Sequence, residues 1–149
     1  MTTIAANRKC MAGDRRVTEE CSFYSAKKVF VIGEAIVGVA GVATSTNKWL
    51  SWYRSGCPTD GPSFTEDEGM QALVLKKDGL FYYTQGCDPD QILEGTYAIG
   101  TGAPSAIALM RACKWHPRRA VLGANKVDGH TGAEVDVIEL AAVTKLMGR

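Results

Sequence analysis

The residues best suited to chemistry gather at the start of the chain, which opens MTTIAANRKCMAGDRRVT. If Met1 is removed, Thr2 offers a hydroxyl nucleophile and a free α-amine on one residue. The small Thr2 side chain suits that removal. An α-amine titrates at about pKa 7.7–8.0, so it can act as a general base near neutral pH. A neighbouring lysine would lower that value by like-charge repulsion. A Met-Thr-Thr start by itself is common and assigns nothing.

Two other stretches invite a ligand. In YAIGTGAPSAIA a strand runs into Gly100-Thr101-Gly102 and a helix follows, so backbone N–H groups could face an anion. A dinucleotide fingerprint would need a third glycine where Ser105 stands, and no Gly-Lys-Ser/Thr follows. Nucleotide binding is not expected. The stretch VDGHTGAEVDVIEL brings Asp128, His130, Thr131 and Asp136 close in sequence. On residue types alone it reads as a helix stop, a glycine turn and a strand start, too poor in ligands for a metal.

Composition excludes several classes. Of 149 residues, 46% are hydrophobic and 22% charged, as in an ordinary globular chain. The length suits one domain, residues 1–149. The net charge of +1 gives no electrostatic reason to expect nucleic acid or a membrane as partner. The absence of a signal peptide or a membrane-length apolar run reads as cytoplasmic. The five cysteines, Cys10, Cys21, Cys57, Cys87 and Cys113, form no CxxC pair and read as reduced thiols, not a disulfide framework or zinc site. Two histidines, His116 and His130, argue against a histidine-built metal centre and a Ser-His-Asp triad. No cofactor is expected.

The elements that must position these residues follow from the pattern. Residues 2–6 read as a strand, 7–9 as a polar turn and 10–13 as its returning partner. Residues 29–32 and 35–40 read as a tight hairpin of buried strands around Gly33-Glu34. Ser45 is expected to cap a short helix over 47–54, stopped at Gly56. Residues 57–68 read as a loop. Strands are expected at 71–76 and 80–84, joined by Lys77-Asp78-Gly79, and a short one at 96–99. Helices are expected at 105–112 and 117–127, and a last strand at 135–142. The order is α+β with antiparallel hairpins, not alternating βαβ.

Taken together, TTIAAN, MAGDRRVT, AKKV, IVGVAG, AIGTGAPSA and VDGHTG follow the order and approximate spacing of one family. The chain resembles the proteasome β-type N-terminal nucleophile (Ntn) hydrolases, in particular the HslV-like peptidases and the short proteasome-subunit-like proteins of bacteria and phages. The resemblance implies an αββα sandwich of two antiparallel sheets, here with a reduced first helical layer. It is weakest between about Trp52 and Gly69.

The resemblance implies a role for each matching position. Thr2 is the nucleophile, and Asp14 orients the lysine and the N-terminus. Lys28 depresses the amine pKa; Lys27 would point to the opposite face of a strand, so the choice depends on register. Gly41 gives a backbone N–H to the oxyanion. Asp128 and Thr131 hold the amine by hydrogen bonds, and Thr101 stands in the glycine turn beside the N-terminus; Thr101 and Thr131 are threonine where the family usually has serine. Arg16 and Thr18 support the site and pair with substrate backbone, and Val17, Ala26, Val39 and Ala43 line the first substrate pocket. An apolar lining suggests cleavage after apolar residues.

The implied activity is that of a threonine endopeptidase on peptides or unfolded proteins, assembled as a homo-oligomeric ring. The family usually has two long helices between Gly41 and the Met70 strand; here one short helix and an acidic loop stand there. That departure puts an ATP-dependent unfoldase partner, and the ring size, in question. Trp49, Trp52 and Tyr53 are expected to cover the sheet in place of the missing helix. Two other classes compete: a non-catalytic assembly subunit, and an amidohydrolase of a small amide.

Overall fold

The computed structural model describes residues 1–65, 68–85, 88–132 and 134–148. Cys87 lies outside these residues, as do residues 66 and 67 of the expected loop. In chain order the elements are β1 (Thr3–Ala6), β2 (Cys10–Asp14), β3 (Arg16–Glu19), β4 (Ser22–Ser25), β5 (Val29–Ile32), β6 (Ala35–Gly41), α1 (Ala43–Arg54), β7 (Met70–Lys76), β8 (Gly79–Thr84), β9 (Asp90–Gln91), β10 (Tyr97–Gly100), α2 (Ala103–Ala112), α3 (Pro117–Asn125), β11 (Val135–Glu139) and α4 (Leu140–Met147).

Local signals explain the hairpins. The Asn7 side-chain oxygen accepts from the N–H groups of Lys9 (2.8 Å) and Cys10 (2.9 Å), which closes the turn between β1 and β2. The two residues Gly33 and Glu34 join β5 to β6, with Ile32 opposite Ala35. The turn at Lys77-Asp78 sets β7 against β8, with Lys76 opposite Gly79.

The strands assemble into two antiparallel sheets, ordered β10-β1-β2-β11 and β5-β6-β7-β8-β9, with β3-β4 as a separate hairpin. Alternation along the strands then builds three apolar layers. Ile4, Met11, Ile36, Leu73, Leu75 and Ile99 pack between the sheets. Val37, Ala72 and Val74 face outward beneath Trp49 and Trp52 of α1. On the other side Ala5, Ala12 and Ala98 meet Ala106, Ala120, Val121 and Ala124 of α2 and α3. The small side chains there let both helices approach the sheet closely. The result is the expected α+β sandwich, and among the described residues a single helix, α1, lies on the outer face of the five-stranded sheet. Trp49, Trp52 and Tyr53 do cover that face, with Trp49 stacked on Tyr53 at 5.1 Å and edge-on to Tyr83. Among the described residues no helix is long and apolar enough to cross a membrane.

Several expectations are corrected. Helix α1 starts at Ala43 after an extended Val42, with no side-chain cap; Ser45 sits inside it, buried, with its hydroxyl unpartnered. Strand β5 is not wholly buried, because Val31 faces solvent at the outer edge of its sheet. The final strand ends at Glu139, and α4 follows without a break. No glycine or proline marks that change, so periodicity alone ran the strand on to 142. The β3-β4 hairpin was missed because its residues are mostly exposed and lack apolar alternation.

Candidate active site

Asp14 ends β2 at the same edge of the sheet where β1 begins, and it is fully buried. Its Oδ1 accepts from the Thr3 N–H at 2.8 Å and from Lys28 Nζ at 3.1 Å. Its Oδ2 accepts from the Arg16 N–H (3.1 Å), the Gly132 N–H (3.2 Å) and Lys28 Nζ (3.2 Å). The carboxylate therefore ties together β1, the start of β3, the lysine and the loop before β11. A buried charge survives only with this kind of satisfaction.

Lys28 lies just before β5, and its own carbonyl accepts from the Val39 N–H at 3.1 Å, which fixes its register against β6. That register buries Lys28 at 7% exposure and leaves Lys27 exposed. Nζ donates to Asp14, to the Arg16 carbonyl (2.5 Å) and to the Met1 carbonyl (2.9 Å). Burial pulls the Lys28 pKa down, and the Asp14 charge and hydrogen bond pull it back up; the net position is below the usual 10.5. The ammonium thus sits at the Met1–Thr2 peptide.

Thr2 is 6% exposed, and its carbonyl accepts from the Gly102 N–H at 3.5 Å. The turn after β10 closes over it. Gly100 has φ +92°, and a Cβ there would run into the Thr2 carbonyl, so only glycine allows this approach. Thr101 Oγ1 donates to Asp128 Oδ2 at 2.5 Å, and Asp128 Oδ1 accepts from the His130 N–H at 2.9 Å. Desolvation pushes the Asp128 carboxyl up, but the bonds from Thr101 and His130 and the charges of His130 and the N-terminal amine outweigh it, holding it below the usual range. Thr131, buried, donates to the Asp128 carbonyl from both its N–H (3.3 Å) and its hydroxyl (3.4 Å).

A cavity of about 760 Å³ opens beside Thr2, lined among others by Met1, Gly41, Met70, Gln71, Gly100 and Thr101. Gly41 ends β6 at φ +131°, and a Cβ there would strike the Gly69 carbonyl.

The structure therefore brings Thr2, Asp14 and Lys28 together, with Thr101, Asp128 and Thr131 as a second group and Gly41 across the cavity. Neither the four expected pocket residues Val17, Ala26, Val39 and Ala43 nor Thr18 lines this cavity. Val17 and Thr18 lie on β3, Ala26 follows β4, and Ala43 is exposed at the start of α1. Val39 packs into the apolar layer under α1.

Sequence reading missed two supports. Gln71 Oε1 accepts from the Gly100 N–H at 3.1 Å while its amide donates to Tyr82 Oη at 2.8 Å, so it braces the glycine turn. Arg15 clamps Asp136 and Glu134, which fixes β11 beside β2. A glutamine on a strand and an arginine in a turn carry no local signal of either task.

This architecture, with the site at the open end of two stacked sheets, is the HslV- and proteasome-like Ntn-hydrolase fold. The solved structure of Thiobacillus denitrificans BPH is similar over 93% of this chain and 98% of that one, with a TM-score of 0.72 and 21% identity. Eukaryotic HslV from Trypanosoma brucei is similar over 92% and 98%, at TM-score 0.67 and 20% identity. Anbu, an ancestral β-subunit from Yersinia bercovieri, is similar over 92% and 80%, at TM-score 0.69 and 13% identity. No protein-family model and no curated protein sequence matches the chain.

Proposed function

We propose that the chain is a threonine-type Ntn hydrolase that cleaves peptide bonds, with Thr2 as nucleophile once Met1 is removed. The observation that carries this reading is the buried Lys28 ammonium, held by Asp14 directly against the Met1–Thr2 peptide. With Met1 attached, the Thr2 nitrogen is an amide and cannot serve as base. With Met1 gone it is an amine beside a fixed cation, which depresses its pKa toward neutrality.

The amine then takes the hydroxyl proton as Oγ1 attacks the substrate carbonyl. The Gly41 N–H stabilises the oxyanion. The C–N bond breaks, the leaving amine takes the proton, and an ester to Thr2 remains. Water, deprotonated by the same α-amine, attacks that ester; the acyl C–Oγ1 bond breaks, the amine returns the proton to Oγ1, and the new carboxyl terminus is released. Thr101, Asp128 and Thr131 orient the amine through these steps. The substrate runs extended past Gly41 through the cavity beside Thr2.

We further propose that the subunits form a ring, with an unfoldase as an optional partner. The solved complex of Thiobacillus denitrificans BPH with epoxomicin, 21% identical to this chain, supports the reading by likeness of fold. The test combines intact mass with epoxomicin labelling of protein from its native host. The expected result is loss of Met1 and a single adduct on Thr2, absent in Thr2→Ala. Retained Met1 with no adduct, or peptide hydrolysis unchanged in Thr2→Ala, would refute it. Native mass spectrometry tests the ring, and a stable monomer counts against it.

A further inference from the structure

At the far end of β2 from Asp14, three side chains of different donor type converge. The two ends are four residues apart, roughly 13 Å at strand rise. Cys10 begins β2 and Glu139 ends β11, and the two are direct cross-strand partners on the face toward α3. His116 sits just before α3 and reaches down onto them. Cys10 Sγ is 3.3 Å from His116 Nε2, and His116 Nε2 is 3.8 Å from Glu139 Oε1. All three donor atoms lie within 4.8 Å of one another.

We propose that Cys10, His116 and Glu139 form a binding site for a divalent metal ion of the zinc class, clipping the start of α3 to the β2-β11 edge. A tetrahedral ion with Zn–S near 2.3 Å and Zn–N or Zn–O near 2.0–2.2 Å needs its donors about 3.3–3.6 Å apart. The sulfur–nitrogen and nitrogen–oxygen separations require changes of only a few tenths of an ångström. The Glu139 carboxylate, 53% exposed, is free to swing to close the third edge. Thiolate, imidazole and carboxylate together select a borderline ion over magnesium or calcium.

The site is rigid where it must be and open where an ion must enter. Cys10 is fully buried, and its N–H is held by Asn7; beside it the Leu140 N–H donates to the Lys9 carbonyl at 2.7 Å. The His116 side chain is 49% exposed, so the fourth position faces solvent. Its Nδ1 accepts from the Arg118 N–H at 3.1 Å, which aims Nε2 at Cys10 and leaves the ring proton on Nε2 in the metal-free state. Metal entry moves that proton to Nδ1 and gives up this one cap hydrogen bond for three metal bonds. It also expels the thiol proton of Cys10, as zinc does at any cysteine ligand.

The experiment titrates the full chain with Co²⁺, and separately with Zn²⁺, in a background where Cys21, Cys57, Cys87 and Cys113 are serine. The expected result is one ion per chain, a thiolate-to-cobalt charge-transfer band, and a rise in Tm with zinc that chelator reverses. Cys10→Ser is expected to abolish the band. His116→Ala and Glu139→Gln should each weaken binding by about tenfold or more. Those two side chains are half exposed, so these variants decide the matter even if Cys10→Ser does not fold. The proposal is overturned if the background binds no ion at micromolar metal, if the band survives Cys10→Ser, or if the other two variants bind as the background does. None of these readouts depends on hydrolysis at Thr2.

Discussion

Replacing Asp14 by asparagine tests the central physical claim about the site. The carboxylate accepts three backbone N–H groups and both ends of a bifurcated lysine contact, in full burial. Asparagine would turn an N–H donor toward some of these donors and leave the Lys28 charge buried without its counterion. Breaking a buried pair in this way costs about 3–5 kcal/mol. For a chain of this size that lowers Tm by roughly 6–20 °C, at about 2–4 °C per kcal/mol.

Lys28→Met is expected to cost less than Asp14→Asn: Asp14 loses its two Nζ contacts and its counterion but keeps three backbone donors, and the Met1 and Arg16 carbonyls each lose one donor. Asp14→Asn/Lys28→Met removes the stranded charge. It should therefore be more stable than the sum of the single changes implies, with a coupling of about 2 kcal/mol or more. Urea unfolding of the four proteins at neutral pH measures this. A coupling under about 0.5 kcal/mol, or Asp14→Asn costing no more than Lys28→Met, would refute the reasoning.

The same variant has a pH signature. The Lys28 pKa already lies below 10.5 by burial, and Asp14 is what raises it back. Without Asp14 it falls further. Between its folded value and 10.5 the native state then binds fewer protons than the unfolded chain, so stability rises with pH across that window. Asp14→Asn should show a wider and steeper rise than the parent.

Further outcomes follow from the same structure. Gly41→Ala must adopt φ +131° and press a Cβ on the Gly69 carbonyl; it should cost roughly 1–3 kcal/mol in urea unfolding and abolish peptide hydrolysis. Wild-type stability in that variant would show that the β6 end is not held as described. The Asp136 carboxyl is held below its usual 3.8 chiefly by the hydrogen bond from Arg15. Its contribution is present above that value and lost as pH falls through the lower folded pKa. Asp136→Asn should therefore flatten the acid limb of a stability profile between about pH 5 and 2, by up to about 1 kcal/mol.

Much of the fold was legible because short-range chemistry repeats what the tertiary structure requires. The Asn7 turn, Gly33-Glu34 and Lys77-Asp78-Gly79 each specify a hairpin before any packing is known. Alternation in 35–40 and 71–76 then puts one set of side chains between the sheets and the other under α1. The β3-β4 hairpin and the strand-to-helix change at Glu139 were not legible, since neither is marked by an apolar period or a breaking residue.

For the candidate site, the sequence by itself determined the residue types: a threonine behind Met1, an aspartate in the turn after an expected strand, and adjacent lysines. It could not choose between Lys27 and Lys28, because that choice is a register, and register is set by the backbone bond from Val39 to Lys28. Nor could it bring Gly132 to Asp14, or Gln71 to Gly100, across gaps of 118 and 29 residues. Cys10, His116 and Glu139 lie far apart in the sequence; only the pairing of β2 with β11 and the seating of α3 make them neighbours. Local bonds and periodicity are written along the chain, whereas a buried charge and its partners, or three donor side chains around one point, exist only once distant segments pack.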